Sequence, residues 1–517
     1  MKHRGRLRRE GRTDHSAWTP LLRLIFVLVA GLLTGCRQAT PSPTAWAPTS
    51  PSTTLLGTAW DDRAAFGAGL INSERAVLEA LPGATVYQMD IELADDLTHL
   101  RGRLEVRYTN TEPLPLQEVW FRLYPNLLGG RAQVDGVTVD GRTVEPAYEL
   151  SDSAMRFPLL SPLQPGEHVV IAMDLAVQVP TLAETNYGVF SYVDGVLSLA
   201  HFYPIVSVFD DEGWNVEIPP PYGDLLYADS SFYLVRVKVP VGLTVVASGI
   251  VTSQRVTGGQ QELTIAAGPA RDFDLTASAD YVVVSEKLGD TLVNSYALAE
   301  LGLGQQAALR HAVDALRAFS RRFGPYPLTE FDVVSTPTLA LGVEYPGLIA
   351  MAKRLYPPKS EYPPAYLEST VAHEVAHQWF YSTVGNDQLD EPWLDEALAQ
   401  YATLLYWQDL YGPGGSIGFD SSLDERWARV DHADIPIGLP VQEYSEKEYG
   451  AIVYGRGPRF LEALATRMGQ EAFDAFLREY YGTHKWGVAS GQSFKQLAEG
   501  RCQCDLTPLF QEWVWRR

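Results

Sequence analysis

Two histidines four residues apart, with a glutamate between them, constrain this chain more than any other feature: His373-Glu374-Val375-Ala376-His377. On a helix, residues at that spacing project from one face about one turn apart, so both imidazoles reach a single metal ion. The carboxylate between them can take a proton from a water molecule without ligating the ion itself. Glu396, in Trp393-Leu394-Asp395-Glu396-Ala397, supplies a third ligand and leaves a fourth position open, which separates a catalytic zinc from a closed structural one. A His/His/Glu set predicts one zinc ion. The bland alternatives are a core helix with satisfied histidines and, for Glu396, an acidic residue favoured by a helix dipole. Glu396 alone would be read that way; beside the histidine pair it is not.

The flanks predict how these residues are carried. Pro363 and Pro364 open a segment in which Leu367, Val371, Val375 and Trp379 recur at helical spacing, so a buried helix is expected. A second helix is expected with Asp390 as its N-cap, Pro392 in its first turn, and an apolar stripe of Leu394, Leu398, Tyr401 and Leu405 ending near Gly412. Ligand histidines need partners that fix their tautomers, and Asp387, Asp390 and Asp395 lie nearby in sequence without a means of choosing among them.

From His373 to Tyr401 the sequence resembles the aminopeptidase N and leukotriene-hydrolase-like zinc metallopeptidases, the gluzincins. Their signature is HExxH, eighteen residues, then Glu within WLxEG. Residues 378–395 provide that spacing, Trp393, Leu394 and Glu396 fall in place, and Ala397 stands for the glycine. Leu341-Gly342-Val343-Glu344-Tyr345 is similar to the family's GxMEN segment. The resemblance implies that Glu344 binds the free amino group of the substrate and that the backbone near Gly342 lines the channel. Tyr454-Gly455-Arg456-Gly457 is similar to the family's YxKG, which implies that Tyr454 donates to the developing oxyanion; Tyr449 is a weaker candidate in the same run. His201 stands near the place where family members carry a glutamine that helps hold the amine.

The expected function is therefore a zinc-dependent aminopeptidase that removes N-terminal residues from peptides, with Glu374 as general base. A zinc endopeptidase of the same fold, and a noncatalytic peptide-binding surface lipoprotein, are the competing readings.

The expected fold class is α+β and multidomain. Period-2 runs such as Leu104, Val106, Tyr108 and Val235, Val237, Val239 predict an antiparallel β-sandwich over 80–296. From about 300 the period becomes helical, with Leu309, Val313, Leu316 and Phe319 stopping at Gly324-Pro325, and helices are expected near 457–468 and 470–481. This fits a thermolysin-like, mainly helical catalytic domain over 297–517. The long C-terminal helical domain of larger family members is not expected, and the cleft should be correspondingly open.

Residues 1–35 hold seven Lys or Arg against two acids and an apolar stretch from Leu21 to Leu33, and they read as a secretory signal. The small residues before Cys36 resemble a bacterial lipoprotein box, which implies lipidation at Cys36; an uncleaved anchor or plain signal cleavage are the alternatives. Residues 36–55, dense in Pro, Ser and Thr, read as a tether, which places the enzyme outside the cytoplasm on a lipid-anchored cell-membrane site. The formal charge of -22 argues against nucleic acid and against adhesion to anionic lipid, while favouring cationic N-termini at the cleft. Cys502 and Cys504 read as a local structural pair, since one intervening residue strains a bridge.

Overall fold

The structure, a computed structural model, describes residues 55–515. The signal, Cys36 and the tether up to residue 54 lie outside the described residues.

The N-terminal half is built on an eight-stranded sheet. Its central strands are Val86–Leu93 and His99–Thr109, paired antiparallel, with Ser231–Pro240 running parallel to the first of them. Alternation decides the face. Tyr87, Met89 and Ile91 lie opposite Tyr233, Val235 and Val237 in register, all buried, and the rings of Tyr87 and Tyr233 stack at 4.8 Å. Smaller four-stranded sheets, one containing Leu116–Arg122 with Ala154–Leu163 and the other Val196–Leu199 with Leu275–Ser278, complete the sandwich. Residues 55–80, left of the sandwich in the sequence reading, form short helical turns that cover the sheet through Phe66 against Phe232.

The second half carries its own five-stranded sheet. Its order is Tyr281–Leu288, Thr291–Leu298, Glu330–Thr336, Leu348–Ala352 and, at the edge, Gly342–Tyr345. The hairpin 281–298, which its strand periodicity placed in the N-terminal domain, thus hydrogen-bonds into this later sheet, because Thr291–Leu298 pairs in parallel with Glu330–Thr336. Period alone cannot say which sheet a strand joins. The helices Gly302–Arg322 and Pro364–Ala376 pack against this sheet, and Glu396–Gly415, Gly457–Met468 and Gln470–His484 build out from them. The predicted stripe Leu309, Val313, Leu316 and Phe319 is buried on the first of them. Among the described residues no large further helical domain follows, and no helix is long and apolar enough to cross a membrane.

Arg271 ties the halves together. Its buried guanidinium donates to the carbonyl of Ala228 at 2.9 Å on one side, and on the other to those of Tyr381 at 2.9 Å and Gly487. A charge in such a place is retained because every arm finds a carbonyl.

Candidate active site

The helix Pro364–Ala376 begins at the proline pair, as the sequence predicts, and buries Leu367, Val371 and Val375. His377 is its C-cap rather than an interior residue, and buried Trp379 lies beyond the helix end. The two imidazoles still face one another, with Nε2 atoms 3.2 Å apart. Glu396 opens the next helix, and its Oε2 lies 3.1 Å from His373 Nε2 and 3.7 Å from His377 Nε2.

The cap of that second helix differs from expectation. Asp395, not Asp390, is the N-cap, accepting from the Glu396 amide at 2.7 Å, because a short helical turn over Pro392–Leu394 intervenes. The stripe ends as expected near Gly412, where a left-handed φ of 71° breaks the helix before its last turn to Gly415. None of the three aspartates reaches an imidazole. His377 Nδ1 is instead 3.1 Å from the backbone carbonyl of Phe380, a partner that side-chain inventories overlook. Asp395 spends its second oxygen on Gln388 Nε2 at 2.7 Å, and Asp387 caps the amides of Leu389 and Asp390.

Gly342 and Glu344 lie on the edge strand Gly342–Tyr345, which passes alongside the histidine helix. Glu344 is 8% exposed, and its carboxylate falls within 4.8 Å of ligand atoms on His377 and Glu396. Gly342 approaches the site so closely that a Cβ there would sit 2.6 Å from Glu374 Cδ. Tyr454 is carried on a π-helical turn, Ile452–Arg456, between the helices Glu446–Ala451 and Gly457–Met468. Such turns interrupt helical register and often occur at functional sites. Its ring lies 6.1 Å from that of His373, and burial and the nearby Glu396 charge raise the pKa of its hydroxyl. Tyr449 packs edge-on against Tyr454 at 5.7 Å.

Small residues make this convergence possible. A Cβ on Gly457 would meet Ala397 Cβ at 2.5 Å, so the π turn and the Glu396 helix approach only because both positions are small. Arg456 points away from the chemistry: it donates to the carbonyls of Trp513 at 2.8 Å and Glu512 at 3.3 Å, and stacks on the Trp513 ring.

The electrostatics are those of a site short of positive charge. Burial lowers His377 to about 4, so its imidazole is neutral with a lone pair free to ligate. Burial pushes Glu396 up, but hydrogen bonding from His373 and the charges of both histidines outweigh it and hold the carboxyl below its usual range. Glu374 is raised, first by burial and then by the charge of Glu396; Glu344 is raised by burial and by Glu374. Glu396 Oε2 is buried beside the Nε2 atoms of both histidines, 3.1 and 3.7 Å away. Two imidazoles and a carboxylate held below its usual range, converging within a few ångströms, suit a divalent zinc ion.

His201 is elsewhere occupied: its Nδ1 faces Asp272 Oδ2 at 2.8 Å, and its ring packs on Tyr124. The residue the sequence reading missed is Asp224, whose carboxyl meets that of Glu396 and faces Glu344. No motif or spacing links position 224 to 396; only the packing of the two halves does. Cys502 and Cys504 are joined in a disulfide, their Cα atoms 5.2 Å apart, with Gln503 between them in the left-handed region at φ 52°. That turn brings the two thiols together despite the short loop.

The profile of the Peptidase family M1 domain matches residues 307–513. Aminopeptidase M1 of Arabidopsis thaliana is 24% identical over 300 residues, covering 54% of this chain and 34% of that protein. Aminopeptidase N of Lactobacillus delbrueckii subsp. lactis is 28% identical over 202 residues, covering 37% and 24%. The chain thus spans about a third or less of the length of these relatives. An M1 zinc metallopeptidase mutant of Deinococcus radiodurans, solved bound to a Tyr-Ser-Ala substrate, superposes with a TM-score of 0.63 at 23% identity, covering 83% of this chain and 93% of that one. Histidine pair, downstream glutamate, edge strand and tyrosine turn are thus set in a fold like that of the two-domain M1 zinc metallopeptidases, and residues 307–513 are similar to the Peptidase family M1 domain.

Proposed function

We propose that this protein is a zinc-dependent aminopeptidase that removes N-terminal residues from peptides outside the cytoplasm, tethered to the membrane through a lipid on Cys36. The observation that carries the reading is the Glu344 carboxylate: buried on the edge strand beside His377 and Glu396, and given no hydrogen bond by any other residue among those described. A substrate ammonium supplies the missing positive charge, and an acylated peptide would leave that carboxylate buried and unpaired. The tripeptide held by the Deinococcus radiodurans relative is consistent with peptide substrates. The address rests on the sequence alone, through the basic n-region, the apolar stretch and the residues before Cys36.

His373, His377 and Glu396 would hold the zinc ion, and Lewis acidity is what it contributes when bound, easing deprotonation of water and polarising the scissile carbonyl. Glu374 accepts the water proton and later delivers it to the leaving amine; a carboxyl raised by burial is suited to both tasks. Tyr454 stays protonated, since burial and the nearby Glu396 charge raise it, and so its hydroxyl donates to the developing oxyanion. Glu344 fixes the substrate by its N-terminus, so the first peptide bond lies at Glu374.

The test is hydrolysis of an aminoacyl-fluorophore panel and matched N-acetylated peptides by the full chain, with Glu374→Gln and metal-stripped protein as controls. Cleavage of free-amine substrates alone, lost in both controls, supports the reading. Cleavage of blocked peptides would make the protein an endopeptidase, and zinc binding without any cleavage would favour a peptide-binding lipoprotein.

A further inference from the structure

Arg426 is a cation without a counter-ion at the edge of the site. It sits on the helix Ile417–Ala428, which lies against the π turn that carries Tyr454. Gly455 allows that approach: a Cβ there would sit 2.7 Å from the Trp427 amide nitrogen and 3.0 Å from Arg426 Cβ. The guanidinium stands 5.8 Å from the centre of the Tyr454 ring, whose own centre is 6.1 Å from that of His373. The groups that act on its charge are Tyr454, Arg429, Glu396 and Tyr366.

Its isolation stands out in so acidic a chain, where 63 Asp and Glu outnumber 41 Lys and Arg. Arg322 and Arg459, on other helices of this half, each hold an aspartate. Arg426 makes no hydrogen bond and no ion pair among the described residues. Its helix neighbour Asp424 faces His432 instead, at 3.4 Å. The Arg426 nitrogens stay open to solvent, so a ligand can reach them. A guanidinium presents a rigid fork of donors, and a carboxylate matches it with two parallel hydrogen bonds. Position selects which carboxylate. Tyr366 and His373 are seven residues apart on one helix, so they share a face two turns, about 10 Å, apart. Arg426 spans that interval, next to Tyr454 beside His373 at one end and next to Tyr366 at the other. An extended peptide advances about 3.3 Å per residue, so a chain cut at Glu374 with two residues beyond the cut ends about 7 Å on, inside the interval.

We propose that Arg426 binds the C-terminal carboxylate of a tripeptide whose first residue is being removed, so that the protein favours peptides short enough to be held at both ends. The proposal rests on the aminopeptidase reading and names its substrate class. The negative field of the whole chain opposes such an anion, so a preference for it has to come from a local cation.

The test compares Leu-Ala-Ala with its C-terminal amide, and Leu-Ala-Ala-Ala-Ala with its own. Turnover is measured with zinc-loaded full-length protein, and calorimetric binding with the same protein carrying Glu374→Gln. The acid form of the tripeptide should show the higher kcat/KM and the tighter binding, by about 10- to 100-fold for one charge-assisted pair. The preference should largely vanish in the pentapeptides, whose carboxylate lies two residues beyond the guanidinium. Arg426→Gln should erase the ratio of acid to amide, and Arg426→Lys, which keeps the charge but not the fork, should restore part of it. Each protein is read by its own ratio, so a general loss of fold or metal, which lowers both peptides alike, does not mimic the effect. A ratio near one in the parent, the same ratio at both lengths, or a ratio that survives Arg426→Gln would each overturn the proposal. Binding that favours the acid in a protein whose parent cleaves neither tripeptide would instead strike the aminopeptidase reading and leave the carboxylate site standing.

Discussion

Gly342 and Glu374 touch so closely that no side chain fits between them: a Cβ on residue 342 would lie 2.6 Å from both Cγ and Cδ of the glutamate. The edge strand therefore limits the rotamers of Glu374, and the glycine is needed for space rather than for its backbone freedom. Gly342→Ala should push the Glu374 carboxylate off line. Misplacement of about an ångström is enough to lower kcat by about 100-fold. Zinc content and melting temperature should change little, and parallel measurement of all three checks the prediction.

Glu374→Gln removes the proposed base while keeping the volume. Peptide hydrolysis should fall by about 100- to 10,000-fold, with zinc still bound stoichiometrically by atomic absorption. Loss of zinc in this variant would mean that Glu374 supports the ion as well as the chemistry.

Tyr454→Phe deletes one buried hydroxyl that lies near the Glu396 charge. If it stabilises the oxyanion, kcat should drop by about 100- to 1,000-fold while KM changes by far less. The ring contacts with His373 and Tyr449 are retained by phenylalanine, so the thermal midpoint should stay near that of the parent.

Metal removal should affect stability as well as activity. Without an ion, the buried Glu396 Oε2 has only the two imidazoles beside it to offset its charge. Restoring zinc at about 100 to 1,000 times its Kd should add about 3–4 kcal/mol, visible as a rise in melting temperature that depends on zinc concentration. Calcium or magnesium, which prefer oxygen ligands, should not reproduce it.

Asp387 gives a pH signature away from the metal. Burial pushes it up to about 7 from an ordinary 3.8, with the amides of Asp390 and Leu389 opposing and the charges of Asp390 and Glu217 adding. Between those values the native state holds a proton that the unfolded chain has lost. Stability attributable to this group therefore falls as pH rises from about 4 to about 7 and is level above. Asp387→Asn keeps an oxygen for the amides and removes the charge. It should match the parent at pH 4 and exceed it by about 1–2 kcal/mol at pH 8 in urea unfolding.

The sequence by itself determined what depends on neighbours along the chain. The histidine pair is one helical turn apart, so its convergence follows from local geometry. The strands around Leu104 and Val235 and the helix through Leu309 and Phe319 were legible because burial of one face imposes a period of two or of 3.6 residues. The motifs around Glu344, Glu396 and Tyr454 were legible as motifs, but their meeting at one point was not written in any of them.

Tertiary structure decided the rest. Strands 281–298 joined the later sheet because pairing partners are chosen in space, and Asp395 displaced Asp390 as cap because a helical turn at Pro392–Leu394 shifted the start. His377 found a backbone carbonyl, which has no sequence signature. Asp224, some 170 residues from Glu396 along the chain, entered the site only through Tyr222 and Gly223 packing on the opposite half. Local spacing fixes which groups one helix or strand can present together. The side chains that face them, and hence the charge balance of the site, are set by contacts between distant segments that no period or motif encodes.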